Sequence, residues 1–182
     1  MPVETEIKLP LRGEPDDVRA VLARHGYHPS GHRRLEVDQV FDRDGQLRAS
    51  DQLLRLRTAG SHCTLTYKGP AQRAPYKSRE EIEVDVADGP VFIQILTALG
   101  FRLAFAYEKY RTKFKAASQP GLVTLDETPI GSFLELEGPG DWIDTTAKLL
   151  GYTTEDYVTA SYATLYAEHC RTNGGVLSEM RF

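Results

Sequence analysis

Glu4-Thr5-Glu6-Ile7-Lys8, close to the N-terminus, alternates charged with uncharged side chains. In a β-strand the side chains at i, i+2 and i+4 share a face. Glu4, Glu6 and Lys8 therefore point one way, and Val3, Ile7 and Leu9 the other. A single strand of this kind is ordinary half-solvated antiparallel structure. Here the pattern returns along the chain. Leu54-Arg55-Leu56-Arg57 places two guanidiniums on one face, and Thr64-Leu65-Thr66-Tyr67-Lys68 ends in a lysine before the turn signal Gly69-Pro70. Arg79, Glu81, Glu83 and Asp85 alternate with Ile82, Val84 and Val86; Tyr107, Lys109, Arg111 and Lys113 form a further row. Leu134-Glu135-Leu136-Glu137 adds a carboxylate pair, preceded by Asp126 and Glu127.

Like charges side by side on a sheet repel, so repeated same-sign pairs need a neutralising partner. Carboxylate pairs suit hard divalent cations, and Arg/Lys pairs suit phosphate oxygens. A ligand carrying both metal and phosphate satisfies the two sets together.

Between the strands lie helices with a common ending. Pro15 to His25, Asp88 to Leu99 and Asp141 to Leu150 each carry apolar residues at helical spacing. They stop at Gly26-Tyr27, Gly100-Phe101 and Gly151-Tyr152. A fourth helix is predicted from about Thr159 to His169. Amphipathic helices are available to cover the apolar strand faces, leaving charged faces toward each other or toward water. A closed antiparallel barrel with a hydrophilic lumen fits, and it removes exposed sheet edges. The loop Gly69 to Lys77, with two prolines and mixed charge, reads as the mobile segment.

At 182 residues the chain suits one domain, here residues 1–170, with 171–182 as a loose C-terminal tail around Thr172-Asn173-Gly174-Gly175. Composition is that of a globular protein, 41% hydrophobic and 26% charged. No apolar run approaches the roughly 20 residues that span a bilayer, and the charged beginning argues against a secretory leader. Cys63 and Cys170 have neither metal-ligand nor framework spacing, which points to a reduced, cytoplasmic protein. A net charge of −4 disfavours nucleic acid as partner while permitting a small phosphate ligand in a locally basic cavity. The five histidines show no ligand spacing, and Ser161 has no His-Asp arrangement around it.

Taken in order, Glu4-x-Glu6-x-Lys8, Leu54-Arg55-Leu56-Arg57, Thr66-Tyr67-Lys68-Gly69-Pro70, Arg79-Glu80-Glu81-Ile82-Glu83, Glu108-Lys109-Tyr110-Arg111, Asp126-Glu127-Thr128-Pro129-Ile130-Gly131 and Phe133-Leu134-Glu135-Leu136-Glu137-Gly138 resemble the motifs of the CYTH superfamily, the triphosphate tunnel metalloenzymes. The resemblance runs to about Cys170. It implies an α+β fold: an eight-stranded antiparallel tunnel with a charged lumen and helices packed outside. It also implies a divalent-metal-dependent phosphoryl-transfer enzyme acting on inorganic triphosphate, ATP or thiamine triphosphate, as a monomer or homodimer.

Glu4, Glu6, Glu135 and Glu137 are the first candidates for holding Mg²⁺ or Mn²⁺, which prefer oxygen ligands. The resemblance adds Asp126, Glu81 and Glu83 to this acidic side. Lys8, Arg55, Arg57, Lys68, Arg79, Lys109 and Arg111 form the expected phosphate clamp, and seven cations suit a polyanion such as triphosphate. Glu137 or Asp126 is expected to orient or deprotonate the attacking water, with Lys68 beside the phosphates. Lys113 and Lys115 read as surface ion-pair residues. Family hydrolases carry a lysine at the start of the closing helix; Tyr157-Val158-Thr159-Ala160-Ser161-Tyr162 has none, which weighs against thiamine triphosphatase activity. The alternatives are a class IV adenylyl cyclase making cyclic AMP and pyrophosphate, a non-catalytic polyphosphate or nucleotide sensor, and a structural β-protein with a polar lumen.

Overall fold

The computed structural model describes residues 3–174 and 179–182. Its strands are β1 (Val3–Pro10), β2 (His28–Pro29), β3 (Arg34–Asp42), β4 (Leu53–Ala59), β5 (His62–Lys68), β6 (Lys77–Asp85), β7 (Arg102–Lys115), β8 (Leu122–Thr128) and β9 (Gly131–Glu137). Its helices are α1 (Pro15–Arg24), α2 (Gln46–Ala49), α3 (Gly89–Ala98), α4 (Gly140–Leu149) and α5 (Tyr162–Asn173). The sheet runs β7-β3-β4-β5-β6-β1-β9-β8, and β8 pairs back onto β7, so eight antiparallel strands close into a barrel. The two-residue β2 is an extra pairing at the end of β7.

The helix ends follow from the sequence. Gly26, Gly100 and Gly151 adopt φ of 80°, 89° and 84°, the left-handed region that glycine enters without a Cβ clash. The amides of the next residues, Tyr27, Phe101 and Tyr152, then turn back to the carbonyls of Leu22, Leu96 and Ala147 at 3.0, 2.9 and 2.9 Å. At the other ends Asp88 accepts from the Val91 amide and Ser161 from the Thr164 amide.

Among the described residues the buried apolar side chains fall into three clusters, one of them built around Tyr107, Phe133, Tyr162 and Met180. Ile7 and Leu9 of β1, Val123 and Leu125 of β8, and Leu134 and Leu136 of β9 pack against Val18 and Leu22 of α1 and Trp142, Ile143 and Ala147 of α4. A Cβ on Gly121 would come 2.4 Å from the Trp142 ring, so only glycine lets that ring lie against the β7–β8 loop. On the opposite side Phe41, Leu56 and Leu65 pack against Phe92 and Leu96 of α3. The cover is incomplete: Ile82 and Val84 on the outside of β6 remain 47% and 56% exposed, and Val3 projects past the cover at 67%.

Two segments make more contacts than their sequence suggests. The Gly69–Lys77 loop is hydrogen-bonded along its length. Ala71 and Arg73 bond to Asp51, Gln72 pairs with Ser78 through two 2.8 Å backbone bonds, and Tyr76 donates to Asp144. The described C-terminal residues pack against the barrel. Helix α5 continues to Asn173, and Met180, 1% exposed, exchanges backbone hydrogen bonds with Ala106 and Glu108. Beyond it Phe182 lies against Tyr110 with centroids 5.1 Å apart. The reason is geometric: β8 pairs only with the second half of β7, leaving the Ala106–Glu108 edge to be completed by another segment. Gly175 lies outside the described residues.

Candidate active site

The inward-facing residues enclose a cavity of about 520 Å³. Its wall takes Glu4, Glu6 and Lys8 from β1, Arg55 and Arg57 from β4, Lys68 from β5, Lys77, Arg79, Glu81 and Glu83 from β6, Lys109, Arg111 and Lys113 from β7, and Glu135 and Glu137 from β9. The alternation read from the sequence is the cause, since each strand gives its even or odd set to the lumen. Of the predicted site residues only Asp126 is absent from the wall.

The acidic part centres on β1 and its neighbours. Glu4 lies opposite Arg79, and Glu6 lies opposite both Lys77 and Glu137. The Lys68 ammonium is shared by Glu4 at 2.5 Å and Glu81 at 2.7 Å. Burial, and then the hydrogen bond with Glu4, push the Glu81 carboxyl up to about 8 against the pull of Lys68. Glu4 moves down: its burial is outweighed by the Glu81 hydrogen bond and Lys68. Burial, then the charges of Glu4, Glu6 and Glu135, raise Glu137. Glu6 is also buried, yet Lys8 and Lys77 hold it well below the usual carboxylate range.

The opposite wall is a lattice of cations on buried acids. Asp126, fully buried, accepts from Lys109 Nζ at 2.7 Å, from Arg111 Nε and Nη2 at 2.6 and 2.5 Å, and from the Tyr162 hydroxyl at 2.9 Å. Four donors occupy Asp126, and it is set apart from the other expected site residues by having no cavity surface. Arg111 also binds Glu135. Asp38 accepts from Arg57 Nε at 2.8 Å with Arg55 Nε 3.3 Å away. Those guanidiniums overcome its burial and hold it at about 2. Glu36 lies 3.2 Å from Arg57 and under 4 Å from Lys109 and Arg111.

Three more placements differ from expectation. Arg79 spends its donors on the carbonyls of Gly69, Asp51 and Lys68, at 2.7, 2.9 and 3.2 Å, so it braces the loop as well as lining the cavity. Glu83, bonded to Thr66, has a half-exposed side chain. Lys113 lines the lumen instead of a surface, whereas Lys115 is exposed.

Glu36, Asp38, Lys77 and Tyr162 were not among the sequence candidates. The alternation Leu35-Glu36-Val37-Asp38 carried the signal for the first two. Tyr162, at the start of α5, lines the lumen, its ring 5.2 Å from Lys8 Nζ and 5.1 Å from Lys109 Nζ. The chain just before it pairs with β1 through Lys8 and Val158.

Among the described residues no three acidic or imidazole groups form a ready-made cation cage. The donor chemistry nevertheless fits a hard divalent ion. Glu4 and Glu81 share a hydrogen bond beside the Lys68 ammonium, and Glu6 is paired across the strands with Glu137, so four carboxylate side chains gather on and beside β1.

The CYTH domain family model matches residues 2–162. The chain belongs to that family. It is 38% identical over 136 residues to MJ0240 of Methanocaldococcus jannaschii, a protein provisionally named an adenylate cyclase, covering 74% of this chain and 76% of that one. The PH1819 protein of Pyrococcus horikoshii superposes with a TM-score of 0.74 at 25% identity, over 91% of this CYTH chain and 99% of its own. HpAC1 of Hippeastrum, provisionally named an adenylyl cyclase and described as having a dominant triphosphatase activity, shares the fold at a TM-score of 0.63. Its identity is 18%, over 97% of this chain and 98% of its own.

Proposed function

We propose that this CYTH protein hydrolyses a triphosphate inside its tunnel with the help of Mg²⁺ or Mn²⁺. The carrying observation is one 520 Å³ lumen in which an acidic wall faces a wall of lysines and arginines. Glu4, Glu6 and Glu137 are the carboxylates assigned to the ion, with Glu81 and Glu135 adjoining them and Glu83 at the more open side. The bound ion supplies charge neutralisation on the phosphate oxygens. Lys8, Arg55, Arg57, Lys68, Lys109 and Arg111 bind the phosphate chain and offset the charge that spreads over the transferring group. Burial and three neighbouring carboxylates make Glu137 a stronger base than a solvated glutamate, so it is the group assigned to orient and deprotonate water. Asp126 keeps Lys109 and Arg111 aimed into the lumen.

A second reading, ATP cyclisation, is favoured by one observation. A cavity of about 780 Å³, lined by Val40, Phe41, Leu47, Phe105 and Ala163, meets the charged lumen at Leu53, Lys77, Arg79 and Ser161. Its apolar residues, beside Asp42, Arg48, Asp51 and Arg73, offer a mixed compartment for the organic part of a nucleotide. In this reading the ribose 3′-hydroxyl attacks the α-phosphorus and pyrophosphate leaves. Incubation with Mg²⁺ or Mn²⁺ and either inorganic triphosphate or ATP, with all products resolved by chromatography, separates the two. Phosphate from triphosphate without cyclic AMP from ATP supports hydrolysis, cyclic AMP with pyrophosphate supports cyclisation, and no turnover of either sinks both.

A further inference from the structure

Lys77 is the first residue of β6, and its Cα is paired with that of Glu6. Its ammonium donates to Glu6 Oε1 at 2.6 Å, and its side chain is 7% exposed. The other lysine near that oxygen, Lys8, is 3.8 Å from it and 3.4 Å from Glu135. Lys68 and Lys109 each stand within 4 Å of two carboxylates, whereas Glu6 is the single ion-pair partner of Lys77 among the described residues.

The backbone around Lys77 is anchored on both sides. Tyr76 donates to Asp144 at 2.8 Å, and Ser78 bonds to Gln72 and, through its hydroxyl, to Thr5 at 2.9 Å. The side chain, by contrast, borders open space, because it lines both the charged lumen and the second cavity beside it. A lysine on a flexible four-carbon stem can move its charge within such a space while its Cα stays fixed.

We propose that Lys77 is an exchanging counter-ion: it neutralises Glu6 until a divalent cation takes that carboxylate, and it then turns its ammonium onto a phosphate of the substrate. This rests on the metal and triphosphate reading above. Glu6 cannot give its oxygens to both an ammonium and a metal without cost, so the ion competes with Lys77. The displaced ammonium then lies in a lumen where the polyanion is the available partner. Metal and triphosphate are coupled through this residue, and the coupling is reciprocal.

The two arms of the exchange have opposite signs in one variant. Lys77→Met removes the competitor for Glu6, so calorimetric titration of substrate-free protein with Mn²⁺ gives affinity roughly tenfold tighter, the scale of one lost charge-assisted hydrogen bond. The same variant has a KM for inorganic triphosphate raised by a similar factor, because a phosphate partner is gone. Lys77→Arg, which keeps the charge, stays near wild type in Mn²⁺ affinity. A purely structural lysine would weaken both properties, and that result overturns the proposal, as does unchanged Mn²⁺ affinity. Should Lys77→Met melt far below wild type, Lys77→Gln carries the same pair of signs. If wild-type protein binds neither Mn²⁺ nor triphosphate, the tunnel-enzyme reading falls together with the exchange; if it binds both and the variant's signs agree, only the exchange is refuted.

Discussion

Glu6 and Glu137 stand directly opposite each other across the β1–β9 pairing, two carboxylates on the inner face of the same barrel wall. Glu6 has the ammonium groups of Lys77 and Lys8 beside it, whereas Glu137 meets the charges of Glu4, Glu6 and Glu135. Like charges facing each other on a sheet are destabilising, so this wall is strained electrostatically as long as no further cation joins it.

Glu137→Gln therefore separates stability from function. Without added metal the variant unfolds at a higher temperature than wild type, by the equivalent of about 0.5 kcal/mol, within the range for cross-strand charge pairs. With metal and substrate it loses about 10²- to 10⁴-fold in turnover, the usual contribution of a general base. Thermal melts in chelator and steady-state rates check both halves; a variant that is less stable and fully active refutes the assignment.

The Glu81 carboxyl gives a pH signature. Its folded-state value of about 8 lies above the ordinary 4.5, so between those pH values folded protein binds a proton that unfolded protein has released. Stability of the metal-free protein consequently falls as pH rises through this window. A divalent ion that takes the Glu4–Glu81 site displaces the proton, so Mn²⁺ binding at pH 7 releases protons in proportion. Titrations in two buffers of different ionisation enthalpy measure that release, and Glu81→Gln abolishes it. Equal heats in both buffers contradict the assignment.

How far the sequence carries depends on what each feature needs. The three Gly-aromatic stops are local chemistry, and each makes the turn that its glycine permits. The charged strand faces were legible because alternation fixes the side on which Glu4, Glu6, Arg55, Arg57 and Lys109 project. What alternation does not carry is partnership across the barrel. Asp126 has the parity of a lumen residue, yet its oxygens are taken by Lys109, Arg111 and Tyr162, the last from a helix 36 residues further on. Lys77 follows an irregular loop and so has no alternating run before it to mark its face. The packed C-terminus depends on the open edge of β7, a property of closure that no local window contains.

Asp126→Asn tests the structural role given to that residue. Removing its charge leaves Lys109 and Arg111 buried with one counter-ion fewer, a change that typically costs about 3–5 kcal/mol. Tyr162→Phe removes a single hydrogen bond to the same carboxylate and costs about 1–2 kcal/mol. Urea denaturation of the two variants checks the order. If Asp126→Asn proves as stable as wild type and only metal affinity drops, Asp126 is a ligand after all.

Asp38 sets the acid limit of the fold. Its pKa of about 2 is below the ordinary 3.8 because Arg57 and Arg55 outweigh its complete burial. A depressed carboxylate stabilises the folded state above the unfolded value, and the gain disappears as pH falls through the folded value. The stability lost between about pH 4 and pH 2 is therefore on the order of 2 kcal/mol from this residue alone. Glu6 and Asp126, also held down by buried cations, add to it in the same direction. In Asp38→Asn the urea midpoint is lower at pH 6, and the gap to wild type narrows as the pH approaches 2. A gap that stays constant across that range shows that Asp38 contributes through packing and not through its charge.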